Sequence, residues 1–239
     1  MKYLVKKIIP PAWRPGIRTV LDRVRGLRTT QITHREIARH IARRDPVILE
    51  IGCNDGSDTV ALMNAMPKAR IYCFEPDTRA IARFKKRLGV DLNRVTLVES
   101  AVSDRNGQID FYASNGSAEL GEDWDLSGSI RRPKNHLIAN TQVKFDRVVT
   151  INTCRLDDWC TRNGIDHVDF IWMDVQGAEA DVIAGAANIL NRTRFLYTEY
   201  SNDELYEGQI PLKELLARLP LFNVIARFPG DILLRNGVL

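Results

Sequence analysis

Several short apolar runs in this chain stop at polar or acidic residues placed to meet a ligand. Val47–Ile51 carries Glu50 and opens into Gly52-Cys53-Asn54-Asp55-Gly56, and Arg70–Phe74 stops at Glu75. Val95–Glu99 is followed by Ala101-Val102-Ser103-Asp104, Asp169–Met173 by Asp174, and Phe195–Glu199 ends in its own acid. Glycines beside a strand let the backbone approach a ligand at a helix start. Only Gly52 and Gly56 are present here, however, and Asp55 between them would repel a pyrophosphate. Glu75 stands nineteen residues after Gly56, where an acid can accept both hydroxyls of a ribose. Such carboxylates favour a nucleoside carrying an ammonium and a sulfonium, so S-adenosylmethionine fits better than a nicotinamide dinucleotide. Glu50, Gly52, Asn54, Asp55, Gly56, Glu75, Ser103, Asp104 and Asp174 form the expected cofactor set, with Asp104 able to accept from the adenine amino group.

The elements that must position these residues follow from periodicity. From Val47 onward, apolar strands alternate with helical patterns, as in a parallel α/β sheet. The predicted strands are those five runs plus Phe222–Arg227 and Asp231–Leu234. The predicted helices are Thr59–Ala65, Thr78–Leu88 behind an Asp77 cap, Leu156–Asn163, Glu179–Leu190 and Pro211–Arg218. A hairpin of Gln108–Tyr112 with Val143–Ile151 interrupts the alternation, and its connection Ala113–Gln142 is too long for a bare loop. Ligands in such sheets bind beyond the carboxyl ends of the strands, where the polar residues cluster.

The composition, 44% hydrophobic and 27% charged over 239 residues, excludes a collagen, a long disordered chain and a disulfide miniprotein. No apolar run reaches the roughly 18–20 residues that cross a bilayer, and no secretory leader is read at the start. The four cysteines form no CxxC pair, which fits reduced thiols in a cytoplasm. Residues 1–46 hold twelve Lys/Arg and three Asp/Glu, a balance of +9, which leaves −5 for the remainder of a chain of net +4. The expected organisation is therefore a basic N-terminal helical arm over 1–46 and a catalytic domain over 47–239. Within the arm, Thr33-x-x-Glu36 reads as a capping box for a helix ending near Asp45-Pro46. The arm suits peripheral contact with an anionic membrane face, docking on the domain, or nucleic acid. Few aromatics accompany its arginines for base stacking, which weighs against nucleic acid.

Taken in order, Gly52-Cys-Asn54-Asp-Gly56, Phe74-Glu75-Pro76, Ala101-Val102-Ser103-Asp104, Leu156-Asp157-Asp158 and Val168–Glu179 resemble the FkbM family of S-adenosylmethionine-dependent methyltransferases. The resemblance runs from about Ile48 to Glu199. It implies a Rossmann-like class I methyltransferase fold: a seven-stranded, mostly parallel sheet with helices on both faces, an insertion after strand three and the last strand inserted antiparallel. It also implies O-methylation of sugar or natural-product hydroxyls. Trp172 stands where a lysine is common in the family, and Gln176 where a glutamate is common.

Methyl transfer needs an oriented acceptor and a base for its proton. Asp174, Glu199 and His136 are the candidate bases. Asp174 leads, because the end of that strand faces the reacting centre in the family it resembles. His136 would act from the inserted segment. Ser127-Gly128-Ser129 with Arg131 and Arg132 reads as a substrate-facing strip, its arginines suited to a phosphate or carboxylate. Ser129, Arg131, Trp172 and Gln176 complete the expected acceptor site. Asp174 and Glu199 with a third oxygen could hold a divalent metal, but no fixed ligand spacing favours one. The acceptor is expected to be a small molecule or saccharide. The rival readings are a non-catalytic cofactor-binding module that recruits a partner through the arm, and a nucleic-acid methyltransferase. The second lacks the Pro-Pro-aromatic segment of base-amine enzymes.

Overall fold

The computed structural model describes residues 31–116 and 124–239. Val47–Ile51 (β1) is buried along its whole length, as expected for an apolar run covered on both faces. It pairs in parallel with Arg70–Phe74 (β2) on one side and Val168–Met173 (β7) on the other. The full order is β3-β2-β1-β7-β8-β10-β9, with Val95–Val98 (β3), Thr193–Glu199 (β8), Phe222–Arg227 (β9) and Asp231–Asn236 (β10). β10 lies antiparallel between β8 and β9, so the fold is the seven-stranded class I methyltransferase sheet. The order reverses between β1 and β7, which opens a crevice at their carboxyl ends.

Alternation along β1 divides the core. Val47, Leu49 and Ile51 face Leu156–Arg162 (α5), Glu179–Gly185 (α6), Ala187–Asn191 (α7) and Leu212–Ala217 (α8). Ile48 faces the other layer, formed by His34–Ile41 (α1), Ser57–Ala65 (α2) and Thr78–Leu88 (α3). The capping box forms, with Thr33 and Glu36 each accepting the other's backbone N–H. Helix α1 stops at Ile41, ahead of the expected end, because Ala42 turns left-handed. The Arg194 guanidinium donates to the Ile41 carbonyl at 3.0 Å there. Ile32, Ile37 and Ile41 are buried, so the packed body reaches back to Ile32. Residues 1–30 of the expected arm lie outside the described residues.

Two buried carboxylates tie elements together. Asp169, at the base of β7, accepts from the Val47 N–H at 3.0 Å and from Arg43 and Arg194 at 3.3 Å each. Asp157 accepts from the N–H groups of Asn188 and Ile189. It thus caps α7 from outside, and the expected single helix Glu179–Leu190 is two. The insertion begins as a second, three-stranded sheet of Ala101–Val102 (β4), Gly107–Gly116 (β5) and Val143–Cys154 (β6), with the short helix His136–Ala139 (α4) ahead of β6. Its hairpin is longer than the alternation indicated, with a register shift between Ala113 and Asn115.

Glu50 shares the Ile48 face. It is 1% exposed and accepts the Thr59 hydroxyl at 2.6 Å. Burial, only partly offset by that bond, raises its carboxyl from 4.5 to about 8. A carboxyl raised by folding stabilises the native state below its unfolded value, and that contribution fades as pH climbs through the folded one. Glu50→Gln should therefore lose less melting temperature than wild type between pH 5 and 8, measured by thermal unfolding. Parallel curves would mean that burial does not hold Glu50 protonated.

Candidate active site

A cleft of about 670 Å³, counted with its open mouth, lies beyond β1, β2 and β7. Gly52 forms its floor with φ +86°, and a Cβ there would sit 1.9 Å from the Asp174 carbonyl oxygen. Only glycine allows the two strand ends to approach so closely. Ser100 and Ala101 form one wall, and Asp125, Leu126, Gly128, Ser129 and Ile130 of the insertion form another. The cleft is lined by the carboxylates of Glu75, Asp125 and Asp174, with no Lys, Arg or His among the described residues that line it.

Glu75 is 6% exposed. Its two oxygens accept the Asn54 N–H at 2.9 Å and the Asp77 N–H at 2.8 Å. Asp77 in turn caps α3 by accepting from the Arg79 N–H. Burial raises the Glu75 carboxyl to about 8, while the two N–H bonds pull the other way. At the end of β7 the Gln176 amide donates to Asp174 at 2.6 Å and to Glu199 at 3.0 Å. The Tyr206 hydroxyl lies 3.3 Å from Gln176 Oε1 and donates to the Ser127 carbonyl at 2.8 Å. Burial lifts both carboxyls of this pair, and the charge of Asp174 lifts Glu199 further. Two carboxyls so placed resist losing both protons, which holds the pair above the ordinary carboxylate range. Beside them Glu179 accepts the Gly177 N–H at 3.1 Å, and burial raises it to about 7.

Of the residues expected at the site, Gly52, Asn54, Glu75, Ser129, Asp174 and Gln176 line the cleft, and Glu199 reaches it through Gln176. The others face elsewhere. Glu50 is on the α1–α3 face. Asp55 accepts the Ser57 N–H at 3.1 Å and pairs with Arg87. Gly56 packs on the Phe84 ring, 2.7 Å from where its Cβ would be. The Ser103 hydroxyl is fully buried against Thr153 at 2.8 Å, and Asp104 turns outward to Arg105. Arg131 grips both oxygens of Asp181 at 2.7 and 2.6 Å, which leaves it fixing the insertion to α6 rather than facing an anion. Trp172 stacks on His34 with ring centroids 5.5 Å apart, on the α1 side of the sheet. His136 packs against Phe145 and Tyr206 at 5.2 and 5.4 Å, where burial pushes its imidazole down. Asp125, Ser100 and Tyr206 belong to the site without any motif announcing them. The one available signal was the acidic run Glu122-Asp123-Trp124-Asp125. Among the described residues, no three His, Cys, Asp or Glu side chains form a metal-binding group.

The pattern of the Methyltransferase FkbM domain matches residues 50–229. The 2-O-methyltransferase NoeI of Sinorhizobium fredii is 52% identical over 224 residues, which cover 92% of this chain and 91% of that protein. The AMB antimetabolite synthetase AmbE of Pseudomonas aeruginosa is 29% identical over 161 residues, covering 59% of this chain but 8% of that protein. The solved fibrillarin of Methanococcus jannaschii overlays with a TM-score of 0.48 at 12% identity, over 83% of this chain and 69% of that one. With the domain pattern extending over most of the sequence and a relative similar from end to end, the chain belongs to the FkbM family of methyltransferases.

Proposed function

We propose that this S-adenosylmethionine-dependent methyltransferase acts on a hydroxyl of a saccharide, a glycolipid precursor or a related natural product. The observation that carries the cofactor part of this reading is the cleft at the switch point, lined by carboxylates and, among the described residues, by no cationic side chain. The donor set fits the cofactor: a ribose diol, an ammonium and a sulfonium all favour carboxylate partners, whereas a dinucleotide's pyrophosphate would be repelled. The printed name of the Sinorhizobium relative, a 2-O-methyltransferase, supports oxygen as the acceptor atom.

When bound, S-adenosylmethionine supplies a methyl carbon already activated by the neighbouring positive sulfur. The chain's own residues must hold the partners, exclude water and take a proton. Glu75 retains lone pairs for the ribose hydroxyls beyond its two backbone bonds. Asp174 is the group assigned to accept the acceptor's proton, with Gln176 orienting it and Glu199 sharing its charge. Ser129 and Gln176 face the acceptor's side of the cleft. Arg131, Trp172 and His136 have no part in this scheme, since their partners hold them elsewhere.

No helix of the described residues is long and apolar enough to cross a membrane. The charge of residues 1–46 supports peripheral attachment to an anionic face, where each basic residue near the surface contributes about 1 kcal/mol. Because Ile32 is part of the core, the deletion that tests attachment is residues 1–30. Lost sedimentation with anionic vesicles, at unchanged cofactor affinity, is the expected result; equal sedimentation contradicts it.

Glu75→Gln should weaken binding of S-adenosylhomocysteine by about tenfold or more, as read by titration calorimetry. Unchanged affinity would remove Glu75 from the cofactor site. Transfer of labelled methyl from S-adenosylmethionine to neutral glycosides tests the acceptor class, and failure on all of them alongside intact cofactor binding counts against sugars. The base works only after losing its proton, so kcat should rise with pH through the raised range of the Asp174–Glu199 pair. Asp174→Asn should cost about 10²–10⁴ in kcat and flatten that rise. An unaltered profile in the variant would assign the base elsewhere.

A further inference from the structure

We propose that Asp125, carried by the insertion, is a second carboxylate that holds the adenosine side of the cofactor, an inference that rests on the S-adenosylmethionine reading. Asp125 is 7% exposed and lines the cleft. Its Oδ2 pairs with Arg83 of α3. Its Oδ1 meets, among the described residues, the Asn54 side-chain amide at 3.5 Å, the outer limit of a hydrogen bond. A buried carboxylate oxygen so weakly satisfied has acceptor capacity left for a donor entering the cleft.

The pairing with Arg83 does not by itself account for the burial. Arg83 is 38% exposed at its side chain, and pairs with one partner in solvent contribute little. Taking a carboxylate out of water costs more than such a pair returns. A surface aspartate could have met Arg83 without lining the cleft.

Position within the cleft assigns the ligand's end. Asn54 joins the two acids, since its backbone N–H donates to Glu75 and its side-chain amide to Asp125. Asp125 therefore belongs with Glu75, the acid assigned to the ribose, while Asp174 and Gln176 mark the reacting end. The insertion's wall is fixed from the far side as well, by the Tyr206 hydroxyl on the Ser127 carbonyl. The cofactor's nucleoside is thus gripped between the end of β2 and the insertion, with Arg83 as the positioning residue behind Asp125.

The test is calorimetric titration of wild type, Asp125→Asn and Glu75→Gln with S-adenosylhomocysteine and with 5′-methylthioadenosine, which lacks the amino-acid end. Asp125→Asn should weaken both ligands by a similar factor, about tenfold or more. Arg83→Gln should weaken both in the same direction and add nothing in the Asp125→Asn background. Its effect should be largely rescued by Arg83→Lys, which a general loss of packing would not allow. Thermal unfolding without ligand establishes that each variant is folded. Weakening of S-adenosylhomocysteine alone would put Asp125 at the amino-acid end and overturn the assignment. Unchanged affinity for both ligands, with Glu75→Gln still impaired, would overturn the proposal and leave the cofactor reading standing. If Glu75→Gln also binds both ligands normally, the cofactor reading itself falls.

Discussion

The cleft depends on burying carboxyl groups at converging strand ends with, among the described residues, no cationic side chain in its lining. An isolated ionised carboxylate away from water is costly. This chain meets that cost with backbone N–H groups at Glu75 and an amide bridge at Gln176, and burial shifts these carboxyls upward. Each device is local and incomplete: the N–H bonds do not cancel desolvation at Glu75, whose carboxyl still rises to about 8. A positively charged ligand would do what the fold leaves undone, and so the site is electrostatically arranged for one. The same arrangement opposes phosphate-bearing dinucleotides, which separates this crevice from others built on similar sheets.

The carboxylates used for architecture are treated differently. Asp169 at the opposite edge of the sheet has Arg43, Arg194 and a backbone N–H. Asp157 is filled by the start of α7, and Asp181 by Arg131 in two parallel bonds. Paired or capped acids fix elements; the acids of the cleft are held by neutral donors or, at Asp125, by a half-exposed arginine. That contrast, between acids paired with arginine or, at Asp157, filled by several N–H donors and acids left with spare acceptor capacity, distinguishes site from scaffold here.

Much of this was legible in the residues because strand ends announce themselves. The apolar runs stop at Gly52, Glu75, Asp174 and Glu199, and the sheet necessarily gathers those ends. The capping box at Thr33 and Glu36 and the Asp77 cap were equally readable, since each is a local bond. Glu50 could have been placed from alternation, because it shares the face of Ile48 and not that of Ile51. What stayed hidden were pairings across long sequence distances. Nothing near Arg131 signals that Asp181 will occupy its guanidinium, and nothing near Gln176 signals Tyr206. His136 and Trp172 carried chemistry by type, yet packing against Tyr206 and His34 decided their places. Asp125 lay in a stretch with no period to read, and only the folded insertion brings it to Asn54.

The most direct measurement is the number of protons exchanged when ligand enters the cleft. Binding of S-adenosylmethionine and S-adenosylhomocysteine would be followed by calorimetry near pH 7.5 (about one unit above the unperturbed imidazole value) in buffers of differing ionisation enthalpy. Carboxyls held protonated by burial should ionise as positive charge arrives, so S-adenosylmethionine should release protons, and more of them than its uncharged-sulfur product. Equal heats in all buffers for both ligands would contradict the central claim, because the cleft's carboxyls would then be ionised already or untouched by the ligand.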